Sequence, residues 1–148
     1  TYNYLDGNTG SGGAGDIFLV KYDSSGTKHW TKQLGTSNKD HGKALTTDSS
    51  GNIYVTGYTS GLENYIGLDG NTSLGSKDIF LVKYDSSGTK KWTKQFGTSS
   101  SDEGTGVTTD SSGNIYVTGK TSGNLDANTS SGGEDIFLVK FNSDGVKQ

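Results

Sequence analysis

Residues 78–85 read Asp-Ile-Phe-Leu-Val-Lys-Tyr-Asp, and the four apolar residues after Asp78 decide the fold. A strand covered on one side alternates apolar with polar residues, whereas an unbroken apolar run is buried on both faces. The stretch continues through Trp92 to Gly97. Residues 16–35 repeat it with only His29 for Lys91 and Leu34 for Phe96. Its first half returns at 135–142 as DIFLVKFN. No helical period is visible that would supply covering helices, so the cover for these strands has to be other sheets.

Outward from this stretch the chain is periodic. Asp16 to Asp78, Trp30 to Trp92 and Asp48 to Asp110 are each 62 residues apart, and Asp78 to Asp135 is 57. The half-period from Asp16 to Asp48 equals that from Asp78 to Asp110, at 32 residues. The other half is 30 from Asp48 to Asp78 and 25 from Asp110 to Asp135, so one loop is elastic, with its extra residues around 62–67. Self-similarity at a fixed period marks a repeat architecture.

Each period predicts four strands. Strand A lies at 43–47 and 105–109, B at 52–57 and 114–119, C at 17–22, 79–84 and 136–141, and D at 28–34 and 90–96. Asp-Ser-Ser-Gly-Asn joins A to B, and Asp-Ser-Ser-Gly-Thr joins C to D. In both, Asp bonds the backbone ahead of it and Gly takes positive φ, as a short hairpin needs. The elastic loop joins B to C, and 35–42 or 97–104 leads from D to the next A. Strand A is small at Gly104-Thr105-Gly106, which suits crowding near a central channel. Four-stranded sheets repeated about an axis are the blades of a propeller. The expected fold is all-β, of β-propeller-type four-stranded antiparallel blades, about two and a half repeats and incomplete on its own. Residues 1–35 form a partial blade (C–D), 36–97 a complete one (A–D) and 98–148 a partial one (A–C).

The pattern TTDSSGNIYVTG, a Gly-rich loop and then DIFLVKYDSSGTKKWTKQFG resembles the bacterial beta-propeller repeat family known as SBBP. The motif is long and covers nearly the whole chain. The resemblance implies secreted or surface-attached bacterial proteins, often large, and no catalytic residues.

A closed propeller needs at least four blades. The missing cover is therefore expected from copies of the chain or from further blades of a longer one, through strand addition at the unfinished sheets. Copies that do not close a ring make a filament. The chain begins at Thr1, inside a repeat, which reads as a processed or excised piece.

Composition narrows the function. All 13 basic residues are Lys and the net charge is -3, without the Arg-bearing basic face of a nucleic-acid binder. With no Cys there is no disulfide, Cys-ligated zinc or thiol nucleophile. No apolar run is long enough to span a bilayer as a helix.

Candidate sites are few. Asp69, Asn71 and Asp78, with copies at Leu5-Asp-Gly-Asn and Leu125-Asp-Ala-Asn, carry oxygens for calcium, but the spacing is not an EF-hand and Asx turns explain the same residues. His29 and His41 are replaced by Lys91 and Glu103 in the next repeat, which reads as solvated positions rather than catalytic ones. Trp30 and Trp92 read as packing between blades, with carbohydrate stacking as the alternative. Tyr58 and Tyr65 stand outside the repeat pattern and are the better ligand candidates. Residues 11–15 and 131–133 are Gly-rich but lack the phosphate-loop signature. No catalytic, cofactor or metal residue is assigned. The expected function is a non-enzymatic structural or adhesive module, extracellular or at a cell surface. The other reading is lectin-like glycan binding through the repeated B–C loops.

Overall fold

A computed structural model describes residues 5–8, 15–61 and 66–148. The described residues form nine strands, β1 (Ile17–Tyr22), β2 (Lys28–Leu34), β3 (Asp40–Thr47), β4 (Ile53–Ser60), β5 (Lys77–Tyr84), β6 (Lys90–Phe96), β7 (Asp102–Thr109), β8 (Ile115–Thr121) and β9 (Asp135–Phe141). They make three sheets in chain order: β1-β2, β3-β4-β5-β6 and β7-β8-β9. Every pair within a sheet is antiparallel. There is no α-helix among the described residues, only three-residue 3-10 turns at Leu5–Gly7, Leu68–Gly70 and Leu125–Ala127. The chain is all-β, with one four-stranded blade between two incomplete ones.

The hairpin turns form as their residues dictate. Asp23 Oδ1 accepts from the N–H of Ser25 and Thr27, and Asp48 Oδ1 from the N–H of Ser50 and Asn52, all at 2.9–3.0 Å. Asp85, Asp110 and Asn142 do the same at their turns. Strand A is longer than its composition predicts. It starts at Asp40 and Asp102, where Asp40 pairs with Thr59 and His41 with Tyr58 before the register slips between Gly42 and Ala44. A charged and Gly-containing start hides a strand from pattern reading, because the partner strand and not local propensity holds it.

Burial follows the reading of strand C. In β5, Ile79, Phe80, Leu81 and Val82 are all 0% exposed. Ile79 and Leu81 pack with Ile115, Val117, Phe137, Val139 and Phe141 of the following blade. Phe80, Val82 and Tyr84 pack with Ile17 and Leu19 of the preceding one. Odd and even positions of one strand thus serve opposite neighbours.

The end strands are each covered once. In β1, Ile17 and Leu19 are buried while Phe18 is 64% exposed. In β9 the parity inverts: Phe137 and Val139 are buried while Ile136 is 89% and Leu138 70% exposed.

Trp30 and Trp92 sit between blades. Trp30 packs against the cluster of Ile17, Leu19 and Phe80, and Trp92 against that of Ile79, Leu81 and Ile115. The turn glycine of the next blade lies on each ring; a Cβ on Gly88 would stand 2.9 Å from Trp30, and one on Gly145 3.1 Å from Trp92. The A strands approach closely, with Thr109 Oγ1 donating to Thr47 O at 3.3 Å. A Cβ on Gly104 would lie 3.0 Å from Ile79 Cγ2 and 3.1 Å from Gly57 O, so the small residue is required there.

Candidate functional site

The elastic loop ends in a turn whose parts are all in use. Leu68 is fully buried as its anchor. Asp69 takes the left-handed conformation at φ 52°, as Asp6 and Asp126 do in the other copies. Its carboxylate pairs with Lys90 and accepts from Thr93 Oγ1, both on β6. Asp6 binds Lys28 and Thr31, and Asp126 binds Lys147, in the same manner. Asn71 Nδ2 donates to Leu68 O at 2.7 Å. The loop carboxylate thus pins the turn to strand D. Asp69, Asn71 and Asp78 each turn to different partners. Among the described residues no three His, Cys, Asp or Glu side chains converge as metal ligands would.

Asp78 belongs to the junction between blades. Its Oδ2 accepts from Ser73 Oγ, Leu74 N–H and Gln95 Nε2, each at 2.9 Å. Asp102, at the start of the next blade's A strand, accepts through Oδ2 from Thr98 N–H at 2.6 Å and Thr98 Oγ1 at 2.9 Å, and through Oδ1 from Thr121. Both carboxyls are fully buried. Burial pushes Asp78 above the ordinary carboxylate range, and the neighbouring Asp102 charge adds to this. The preceding junction repeats the arrangement: Asp16 Oδ2 accepts from Gln33 Nε2 at 2.7 Å, and Asp40 Oδ2 accepts from Thr36 N–H at 2.7 Å and Thr36 Oγ1 at 3.0 Å. Burial raises Asp40 in turn, with Asp16 adding to it. Composition alone does not reveal these pairs, because an Asp at a strand start reads as a turn residue. The signal was the 62-residue repeat of Asp16/Asp40 as Asp78/Asp102.

The remaining candidates lie elsewhere. Tyr58 is nearly buried, stacked on His41 at 4.8 Å and covered by Lys77 at 4.5 Å and Lys43 at 5.4 Å. Lys77 pairs with Glu103 of the next blade and Lys120 with Glu134. Tyr65 lies outside the described residues, as do 11–14 of the first Gly-rich run. His29 faces Asp23 at 3.4 Å where Lys91 faces Asp85 at 2.8 Å, so it fills a structural position. Two clefts stand at the unfinished blades. One, of about 490 Å³, lies along the free edge of β1 between Asp16 and Leu45. The other, of about 400 Å³, lies between the Leu125 turn and Ile136 and Leu138.

The blade pattern is matched by the family model described as beta-propeller repeat (SBBP), at residues 29–66 and 91–126, half of the chain. The chain belongs to the beta-propeller repeat family. Each matched stretch runs from strand D through A and B into the elastic loop, so the family's repeat spans the junction between two blades. Over 92% of its length the chain is also similar to a regulatory protein, FlaEY, of Caulobacter vibrioides, at 32% identity, and to an uncharacterized WD repeat-containing protein of Acanthamoeba polyphaga mimivirus, at 30%. It spans 15% of the first and 11% of the second. No helix among the described residues is long and apolar enough to cross a membrane.

Proposed function

We propose that these beta-propeller repeats are a non-enzymatic structural module, a stack of blades that presents itself to further blades at both ends. The supporting observation is the inverted exposure of the end strands. Phe18 and Tyr22 are open where Phe80 and Tyr84 are buried, and Ile136 and Leu138 are open where Ile79 and Leu81 are buried. The covers those side chains lack are the faces that meet twice inside the chain. Covering one large aliphatic side chain is worth about 1.5–3 kcal/mol, so a bare end is a binding surface for another blade, supplied by a longer chain or by another copy. We place the module outside the cell or at its surface, as membership of the beta-propeller repeat family implies.

The test is stability against repeat number, because blades of a repeat protein are stabilised by their neighbours. A chain carrying one further period after Phe141 is expected to melt at a higher temperature than the 148-residue chain. An equal or lower melting temperature would overturn the reading. Glycan binding through the B–C loops has no such support, since the Asp69 carboxylate is spent on Lys90 and Thr93.

A further inference from the structure

We propose that Asp78 and Asp102 hold one proton between their carboxyl groups, and that Asp16 and Asp40 do the same at the preceding junction. Of the four carboxyl oxygens in the fully buried pair, three already accept from protein donors. Asp78 Oδ1 alone is buried without a partner in this pair, and at the preceding junction both Asp16 Oδ1 and Asp40 Oδ1 are unpartnered. The free oxygen and Asp102 Oδ2 both border the small space left by the missing side chain of Gly97. The point that a Cβ on Gly97 would occupy is 2.9 Å from Asp78 Oδ1 and 2.8 Å from Asp102 Oδ2.

An ionised pair would bury two like charges and one unsatisfied acceptor, which is heavily penalised. A single proton taken from solvent onto Asp78 Oδ1 removes one charge and makes the orphan acceptor a donor to Asp102, as in carboxyl pairs that share one proton. No covalent bond other than that O–H is made or broken. A metal ion is the poorer occupant: a hard cation takes about six or more oxygens, and the pair leaves one free.

The surroundings leave this pair to itself. Lys77 on β5 is paired with Glu103 of β7, and Lys120 of β8 with Glu134. From β6 comes neutral Gln95, from β8 Thr121, and from the chain between β6 and β7 Thr98. Asp102 is the charge that bears on Asp78. Asp135 supplies the contrast. It stands at the start of β9 as Asp78 does at the start of β5, no A strand among the described residues faces it, and Ser131 and Ser130 hold its carboxylate below the usual value. The proton therefore belongs to the closed junction and not to the aspartate position, so each junction that closes takes one up.

The test begins with the unaltered 148-residue chain. Carboxyl-carbon NMR across pH is expected to show Asp78 losing its proton above 3.8 and Asp135 below that value. Asp78 titrating at or below 3.8 would overturn the proposal. Asp78→Asn is the second arm. The three donors on Oδ2 orient the new amide so that its NH2 takes the place of Oδ1, in the space bordered by Asp102. The variant is expected to melt no lower than the parent at neutral pH. It should also lack the parent's loss of stability as pH rises through the raised Asp78 value, because a raised acid stabilises the fold below that value and not above it. Destabilisation of Asp78→Asn as large as that of Asp78→Ala would overturn the proposal. So would a rise in melting temperature with calcium or sodium at constant ionic strength that Asp78→Asn abolishes, since the occupant would then be a cation.

Discussion

The ammonium of Lys83 donates to the carbonyl of Ser143 across 3.0 Å, from strand C of the middle blade into the C–D turn of the next. Lys21 reaches Ser86 in the same way at 2.8 Å. These bonds repeat at the period of the chain and tie each blade to its successor at the surface, while Ile, Phe, Leu and Val do so inside. Replacing Lys83 by Met keeps the aliphatic stem and removes the donor. The expected loss is about 0.5–1.5 kcal/mol, read as a lower urea midpoint with unchanged slope. A changed slope would mean that the blades had separated.

Gly97 and Gly70 make a paired test of space against conformation. A Cβ at 97 would press on Asp78 and Asp102 at 2.9 and 2.8 Å, whereas one at 70 would meet nothing within 4 Å but stands at φ 79°. Gly97→Ala is expected to cost about 1–3 kcal/mol by overpacking, and Gly70→Ala about 1 kcal/mol through its backbone. Urea denaturation of both variants checks the order.

Acid should act on the turns with the opposite sign to the junctions. The Lys91 ion pair, then the Ser87 hydroxyl and Thr89 N–H, hold Asp85 far below 3.8. A depressed carboxylate contributes stability above 3.8 that is lost as pH falls through its folded value. Asp85→Asn preserves the turn, since Asn142 makes the same bonds to Asp144 and Val146 N–H. It is expected to melt below the parent at neutral pH and to converge with it in acid. Melting curves across pH decide this; a constant offset would contradict it.

Self-association has a directional prediction. If copies stack end to end, Phe18→Lys spoils one face and Ile136→Lys the other, so each variant alone is expected to be monomeric by light scattering. A mixture should then form a one-to-one dimer through the two intact faces. A monomeric parent at every concentration would leave blades of a longer chain as the only cover for these faces.

The layout of strands B, C and D was legible in the sequence. The Ile-Phe-Leu-Val run, the Asp-Ser-Ser-Gly turns and the 62-residue period each carry a local physical signal. Residues 40–42 did not read as strand, because His41 and Gly42 owe their conformation to Tyr58 and Gly57 opposite. The role of Asp78 was hidden for a related reason. Its partner Asp102 is distant in the chain, and the donors that fix it, Ser73 and Gln95, are unremarkable residues until folding gathers them. Tyr58 drew attention by departing from the repeat, and the departure proves to be one of packing against His41 and Lys77.

Hydroxyl-radical footprinting of the monomeric fraction measures the two-sided burial of strand C most directly. Phe80, covered by the preceding blade, is expected to stay unmodified, and so is Phe141, which faces the middle blade. Phe18 and Tyr22, on the bare face of the first blade, should be modified readily. Modification of Phe80 at the rate of Phe18 would contradict the stacked-blade arrangement.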